Sequence, residues 1–233
     1  MKIFAVRIGD KYGPEYETYL EKKLSDYEIV WIREPYHPEV ELQWNKMYAM
    51  NTGIDEPVCV IDIDMLLLND YKKIFNFPIE RGEFAAMPGW WRDTDKEGYK
   101  INGGFFKYYP TDCEYIFKKF MSDHKHWQSY YILNGTTNGP VNGEQYFVED
   151  AVKERLKLTI LPPQWFTRWV TGEDIIYGKS MMKFNVQLTR KYREITGNEY
   201  IYLGDEFHPD IKFVHFSHRF NKPHEWDNFK NYV

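Results

Sequence analysis

Pro57-Val58-Cys59-Val60-Ile61-Asp62-Ile63-Asp64-Met65-Leu66-Leu67-Leu68-Asn69 decides how the rest of the chain is read. Four apolar residues, three of them Val or Ile, run from a proline into an Asp-Ile-Asp step. A near-continuous apolar run of this kind predicts a strand buried on both faces, in the middle of a mostly parallel sheet. Side chains two apart on an extended chain share a face, so Asp62 and Asp64 can converge on one point. Two carboxylates at the end of a buried strand repel each other and lose hydration, and a divalent cation between them offsets both costs. A strand that merely ends in polar residues and turns would fit this stretch alone equally well.

Upstream, Lys2 to Ile8 predicts a first strand, and Gly9-Asp10-Lys11-Tyr12-Gly13-Pro14 a tight loop whose proline can open a helix. Tyr16, Tyr19, Leu20 and Leu24 follow at helical spacing, and Glu28 to Ile32 is a second β-branched run. The order β-loop-α-β is the start of a doubly wound sheet, in which ligands sit beyond the carboxyl ends of strands. That rule puts Asp10, Lys11 and Tyr12 at the ligand edge. Next, Val40, Trp44, Met47 and Tyr48 predict one apolar helical face with Lys46 on another side, closed by Asn51-Thr52-Gly53.

Downstream, Asp70 to Phe75 predicts a short helix and Phe84 to Pro88 a strand. Ile101 to Tyr108 predicts another strand, whose paired Gly103 and Gly104 permit close approach of the backbone to a ligand or a neighbouring strand. A helix is expected from about Thr111 to Met121, and a mobile loop from Asn134 to Asn142. Gly143-Glu144-Gln145 opens a further helix with Tyr146, Phe147 and Val148 inward. Leu158 to Leu161, Phe184 to Leu188, Tyr200 to Leu203 and Ile211 to Phe216 are expected as strands.

With 233 residues and no repeat or low-complexity linker, a single α/β domain is the simplest organisation. No window has the length of an apolar membrane span, and the start of the chain looks like a strand rather than a signal peptide, so a cytoplasmic protein is expected. Two cysteines suit reduced thiols better than a disulfide framework. A net charge of −5 gives no support to a nucleic-acid surface. Aromatic residues reach 18%, and any at the surface would suit flat amphipathic ligands such as sugars or bases.

The chemistry gathers at three places: Asp62 with Asp64, His215 at the end of an apolar run, and the tail Ser217 to Trp226 with His218, Arg219, Lys222 and His224. Two carboxylates and an imidazole leave about three positions on an octahedral ion for phosphate oxygens or water, a set that suits Mn²⁺ somewhat better than Mg²⁺. Taken singly, His215 reads as an ordinary buried histidine and the tail as a solvated cationic terminus.

In order along the chain these residues resemble the metal-dependent glycosyltransferases of the GT-A fold, particularly the retaining glycogenin-like and bacterial galactosyltransferase-like group (glycosyltransferase family eight). Asn45-Lys46-Met47 resembles the step whose lysine contacts the sugar nucleotide, and Val60 to Leu67 resembles the DXD motif with Asp62, Ile63 and Asp64. Asn102-Gly103-Gly104-Phe105 is similar to the segment lining the donor sugar. Gly143-Glu144-Gln145 is similar to an Asp-Gln step beside the anomeric carbon, with Glu144 in place of the commoner Asp. His215-Phe216-Ser217 with Lys222-Pro223 and Trp226 is similar to the closing motif, although His218 stands where the family has glycine and Lys222 comes one residue late.

The resemblance spans about Lys2 to Trp226. It implies a single GT-A, Rossmann-like domain over 1–233: a central, mostly parallel mixed sheet flanked by helices, with a donor-nucleotide half over about 1–110 and an acceptor and closing half over about 111–233. It implies transfer of a sugar from a nucleotide-diphosphate sugar, a UDP-sugar, to a hydroxyl on a glycan or glycoprotein, with retention. Asp62, Asp64 and His215 would hold the metal, and Glu144 and Gln145 would act at the sugar. Gly9, Asp10, Tyr12, Lys46, Ile63, Asn102, Gly103 and Lys222 would line the donor; Tyr12 is a candidate for stacking on the base, although ordinary loop packing explains it equally well. Trp90, Trp91, Trp165 and Trp169 are candidates for an acceptor platform, although core packing explains each singly. The chain's brevity is similar to that of compact members in large DNA viruses, which would place it in a host cytoplasm. Two other classes fit parts of the sequence: a haloacid-dehalogenase-type phosphohydrolase, which also has Asp-x-Asp after an apolar strand, and a non-catalytic carbohydrate-binding module using the aromatics.

Overall fold

The computed structural model describes residues 1–91, 100–133, 143–171, 175–176, 179–216 and 221–233. The expected loop at Asn134 to Asn142, and Ser217, His218 and Arg219 of the tail, lie outside the described residues. Strands β1 (Lys2–Val6), β2 (Glu28–Ile32), β3 (Val58–Ile61), β5 (Glu83–Pro88), β6 (Ile101–Tyr108) and β7 (Lys157–Ile160) form a six-stranded sheet in the order β2-β1-β3-β6-β5-β7. β1 runs parallel to β2 and β3, and β7 runs parallel to β5. β6 is antiparallel to both its neighbours. A second sheet holds β4 (Met65–Leu67), β13 (Phe213–His215) and β8 (Phe166–Arg168), in the order β4-β13-β8. Two hairpins complete the strands: β9 (Ile175–Ile176) with β10 (Lys179–Ser180), and β11 (Tyr202–Leu203) with β12 (Glu206–Phe207).

The helices are α1 (Pro14–Lys23), α2 (Lys72–Phe75), α3 (Pro110–Ser122), α4 (His124–Leu133), α5 (Glu144–Arg155) and α6 (Met181–Thr196). None among the described residues is long and apolar enough to cross a membrane. The alternation of a strand divides the core between two layers. Ile3, Ala5, Cys59 and Ile61 face one apolar cluster with Tyr16, Tyr19 and Leu20 of α1. Phe4, Val58 and Val60 face the other, with Trp44, Met47, Ile116, Phe120 and Phe147. β3 is therefore covered on both sides, as its unbroken apolar run requires.

Two expectations are corrected. Phe184 to Leu188 is not a strand but part of α6. Phe184, Leu188 and Tyr192 recur every four residues, and Leu188 and Tyr192 are the buried pair, so the apolar period is helical rather than alternating. Residues Leu42–Asn51 form a 3₁₀ helix in which Tyr48 is exposed while Lys46 is turned inward with Trp44 and Met47. Three residues per turn shift which side chains share a face. The preceding loop is fixed by Asn45, whose amide donates to the carbonyls of Val40 and Leu42 and accepts from the Tyr36 N–H.

Candidate active site

β3 ends at Ile61 and β4 begins at Met65, so the Asp62-Ile63-Asp64 step carries the chain from the large sheet to the small one. Ile63 is buried in the core, which turns the flanking carboxylates together to the other side. β13 lies antiparallel to β4 with His215 opposite Met65, and the Phe216 N–H donates to the Asp64 carbonyl at 2.8 Å. His215 Nε2 consequently sits 3.3 Å from Asp62 Oδ2 and 3.3 Å from Asp64 Oδ1. Its Nδ1 is buried without a hydrogen-bond partner among the described residues.

The other oxygen of each aspartate is also taken. Lys46 Nζ lies 2.6 Å from Asp62 Oδ1 and 3.1 Å from Glu144 Oε1, and donates to the Gly103 carbonyl at 2.8 Å. The Tyr12 hydroxyl donates to Asp64 Oδ2 at 2.6 Å. Burial alone would pull the Lys46 pKa down, but Asp62 and Glu144 outweigh it and raise it, so the ammonium stays charged. Burial pushes up the Tyr12 phenol, and Asp64 pushes it further. Burial likewise opposes ionisation of the aspartates, yet Lys46 for Asp62 and His215 for Asp64 hold both below the usual carboxylate range. His215, despite a burial cost, is pushed up to about 9 by the same two acids, Asp64 foremost.

Gly103 arrives through an irregularity in β6. The β5–β6 register jumps from Ala86 opposite Phe106 to Met87 opposite Asn102, so residues 103–105 are passed over on that side. On the other side the Gly104 carbonyl accepts the Asp62 N–H at 3.0 Å. A Cβ on Gly103 would lie 2.2 Å from Glu144 Oε1, so only glycine lets strand and carboxylate meet there. Gln145 Oε1 accepts the Gly103 N–H and Asn102 Oδ1 accepts the Gly104 N–H, both at 2.9 Å. One turn further along α5, the fully buried Glu149 carboxylate accepts the N–H groups of Lys100 and Ile101.

The structure thus brings Tyr12, Lys46, Asp62, Asp64, Gly103, Glu144 and His215 into one network, with Asn102 and Gln145 bonded to its glycines. Gly9 and Asp10 are exposed at the same sheet edge, Gly9 in a turn with φ +76°. Lys222 pairs with Glu225 at 2.9 Å. Trp90 and Trp91 are core residues in mutual edge contact, Trp90 donating to the Phe166 carbonyl, and so form no exposed platform; Trp165 and Trp169 are partly buried against the same cluster. Sequence reasoning passed over Arg168, buried on β8 and paired in register with His215. It also passed over Glu149, and the Tyr12 hydroxyl as a partner for Asp64. The loop position of Tyr12 was a signal for its contact with Asp64; nothing local in Phe166-Thr167-Arg168 marked a strand beside His215.

The donor set fits a divalent cation. An octahedral ion with bonds of about 2.1 Å holds adjacent ligands about 3 Å apart, close to the 3.3 Å separations found here. An oxygen from each carboxylate and one imidazole nitrogen all lie within 4.8 Å of one another.

No protein-family model matches the sequence, and no curated protein matches it. Solved structures do share the fold. LgtC, a galactosyltransferase crystallised with donor and acceptor sugar analogs, superposes with a TM-score of 0.56 at 10% identity, covering 99% of this chain and 94% of its own. The glycosyltransferase GlyE of Streptococcus pneumoniae TIGR4 gives a TM-score of 0.55 at 13% identity over 95% of this chain. The chain spans 56% of GlyE, little more than half its length. At these identities the likeness shows the fold, a mixed α/β sheet flanked by helices as in GT-A glycosyltransferases.

Proposed function

We propose that this chain is a metal-dependent glycosyltransferase that moves a sugar from a nucleotide-diphosphate sugar, a UDP-sugar, to a hydroxyl of a glycan or glycoprotein acceptor, with retention of configuration. The observation that carries the reading is the meeting of Asp62, Asp64 and His215 just beyond the carboxyl end of β3, the edge at which α/β sheets bind nucleotides. The fold shared with LgtC and GlyE agrees with it.

Asp62, Asp64 and His215 would hold Mn²⁺ or Mg²⁺, which when bound supplies Lewis-acid neutralisation of charge on a departing diphosphate. Lys46 neutralises Asp62 and fixes the Glu144 carboxylate against Gly103, so neither acid has to be reorganised when a donor arrives. Glu144 and Gln145 both meet the Gly103 backbone close to Asp62, and a carboxylate or amide oxygen turned from there to a donor sugar would stabilise an oxocarbenium-like anomeric carbon. Lys222 would turn from Glu225 to the diphosphate. The phosphohydrolase reading expects its Asp-x-Asp step after the first strand, whereas here it follows the internal β3 and runs into Met65-Leu66.

The expected outcome is that UDP binds far more tightly with Mn²⁺ than in chelator, and that Asp64→Ala removes the difference. Calorimetry giving equal UDP affinity in both conditions would overturn the donor-site reading. Sugar binding indifferent to both metal and UDP would favour the carbohydrate-binding module instead.

A further inference from the structure

A second group of metal-ligating side chains lies apart from the Asp62 network. His37 and Glu39 belong to the loop that leads into the 3₁₀ helix Leu42–Asn51, and His124 is the first residue of α4. We infer that these three residues form a second metal site, for a borderline transition ion such as Zn²⁺, that staples this loop to α4.

Geometry is the first support. His124 Nε2 and Glu39 Oε2 are 3.3 Å apart. A tetrahedral ion with bonds of about 2.0–2.2 Å holds its ligand atoms about 3.3–3.6 Å apart, so this pair already stands at ligand spacing. The His37 and His124 rings meet edge to face, centroids 4.6 Å apart, and one ligand atom from each of the three residues lies within 4.8 Å of the others. Closing the third position takes a movement of at most about 1.5 Å, within the reach of a side-chain rotation. The contact that rotation releases is a long one, the Glu39 N–H to His37 Nδ1 at 3.3 Å.

Pre-organisation is the second. Gln128, one turn along α4 and buried, accepts the Glu41 N–H at 2.8 Å and donates to the carbonyls of Glu39 at 3.0 Å and His124 at 3.1 Å. Loop and helix are therefore docked before any ion arrives, and binding need not order them. Lys125 engages Glu39 Oε1, at 2.5 Å, and leaves Oε2 facing His124. His37 and His124 are only partly exposed, while Glu39 opens the site to solvent.

The donor chemistry separates this site from the first. Two imidazoles and one carboxylate, with a fourth position for water, suit Zn²⁺. Nitrogen-rich sets disfavour Mg²⁺ and Mn²⁺, which prefer the oxygen-rich set of two carboxylates. The staple would fix the loop that leads into the 3₁₀ helix carrying Lys46, the residue that holds Asp62 and Glu144 together.

The test is titration of metal-stripped full-length chain with Zn²⁺ by calorimetry and with Co²⁺ by visible absorption, in an Asp64→Asn background that weakens the other cluster. One Zn²⁺ should bind, and Co²⁺ should give the intense d–d bands of a four-coordinate N/O site. His37→Ala, His124→Ala and the shape-preserving Glu39→Gln should each weaken binding by at least about tenfold. His126→Ala, two residues along α4 from His124, should not. Affinity unchanged across the first three variants, no binding at millimolar ion, or a loss with His126→Ala equal to the others would overturn the proposal.

Discussion

At the scale of single residues, the charges of the Asp62 network must be counted together, because each is buried and each is held by the others. Lys46 is 3% exposed and has two carboxylates against it. Lys46→Met would leave Glu144 without its cation and Asp62 with His215 alone. Removing one partner from a buried ion pair costs about 3–5 kcal/mol, so the urea midpoint should fall sharply; a midpoint within error of the parent would show that water already screens the site. His215 makes a prediction with a sign. Its value of about 9 lies above the ordinary 6.5 of an imidazole, so pairing with the aspartates stabilises the metal-free chain fully below pH 6.5. That stability is lost as pH climbs through about 9. In chelator, the loss of stability between pH 6 and pH 9.5 should be larger in the parent than in His215→Gln, since other groups titrate equally in both; parallel profiles would count against the pairing. Asp62, Asp64 and His215 could be picked out of the sequence because each ends an apolar run. The inward turn of Lys46 could not, because an α-helical wheel was the wrong projection for a 3₁₀ segment.

Among the elements, β6 and α5 build the half of the site that holds Gly103 and Glu144. The register jump in β6 presents the glycines, and Glu149 anchors the strand's start by accepting two backbone N–H groups in the interior. Both N–H groups reach the same oxygen, Oε2, so alanine in its place would leave the two without that acceptor. Each buried donor left without an acceptor costs about 1–3 kcal/mol, so Glu149→Ala should destabilise by at least that much and speed amide exchange at Ile101. Protected exchange at Ile101 in that variant would mean another acceptor takes over. Paired glycines signalled the close approach in the sequence, but the bulge itself did not show, because it depends on pairing with two different strands at once. The strand expected at Phe184 to Leu188 failed for the opposite reason. A five-residue window holds too little of the period to separate alternation from a helix whose next apolar contact is Tyr192.

Across the whole molecule, the Asp62 network lies on the seam between the two sheets. Asp62 and Asp64 span the passage from β3 in the larger to β4 in the smaller, and His215 closes from β13. A single-sheet pattern was legible in the order of apolar runs, whereas the seam was not, since it requires β4 and β13 to pair across about 148 residues. An ion bound by residues from both sheets binds the folded chain and not the unfolded one, so its free energy of binding adds to stability. At a hundred times its dissociation constant that contribution is about 2.7 kcal/mol. For a domain of this size each kcal/mol moves the Tm by about 2–4 °C, giving a rise of about 5–11 °C with Mn²⁺. Asp64→Ala and His215→Ala should each abolish most of it. His37→Ala should keep it, because the nitrogen-rich loop cluster selects against Mn²⁺. A Mn²⁺ shift that survives Asp64→Ala but disappears with His37→Ala would move the ion off the seam and leave the two sheets joined only by backbone pairing and apolar packing.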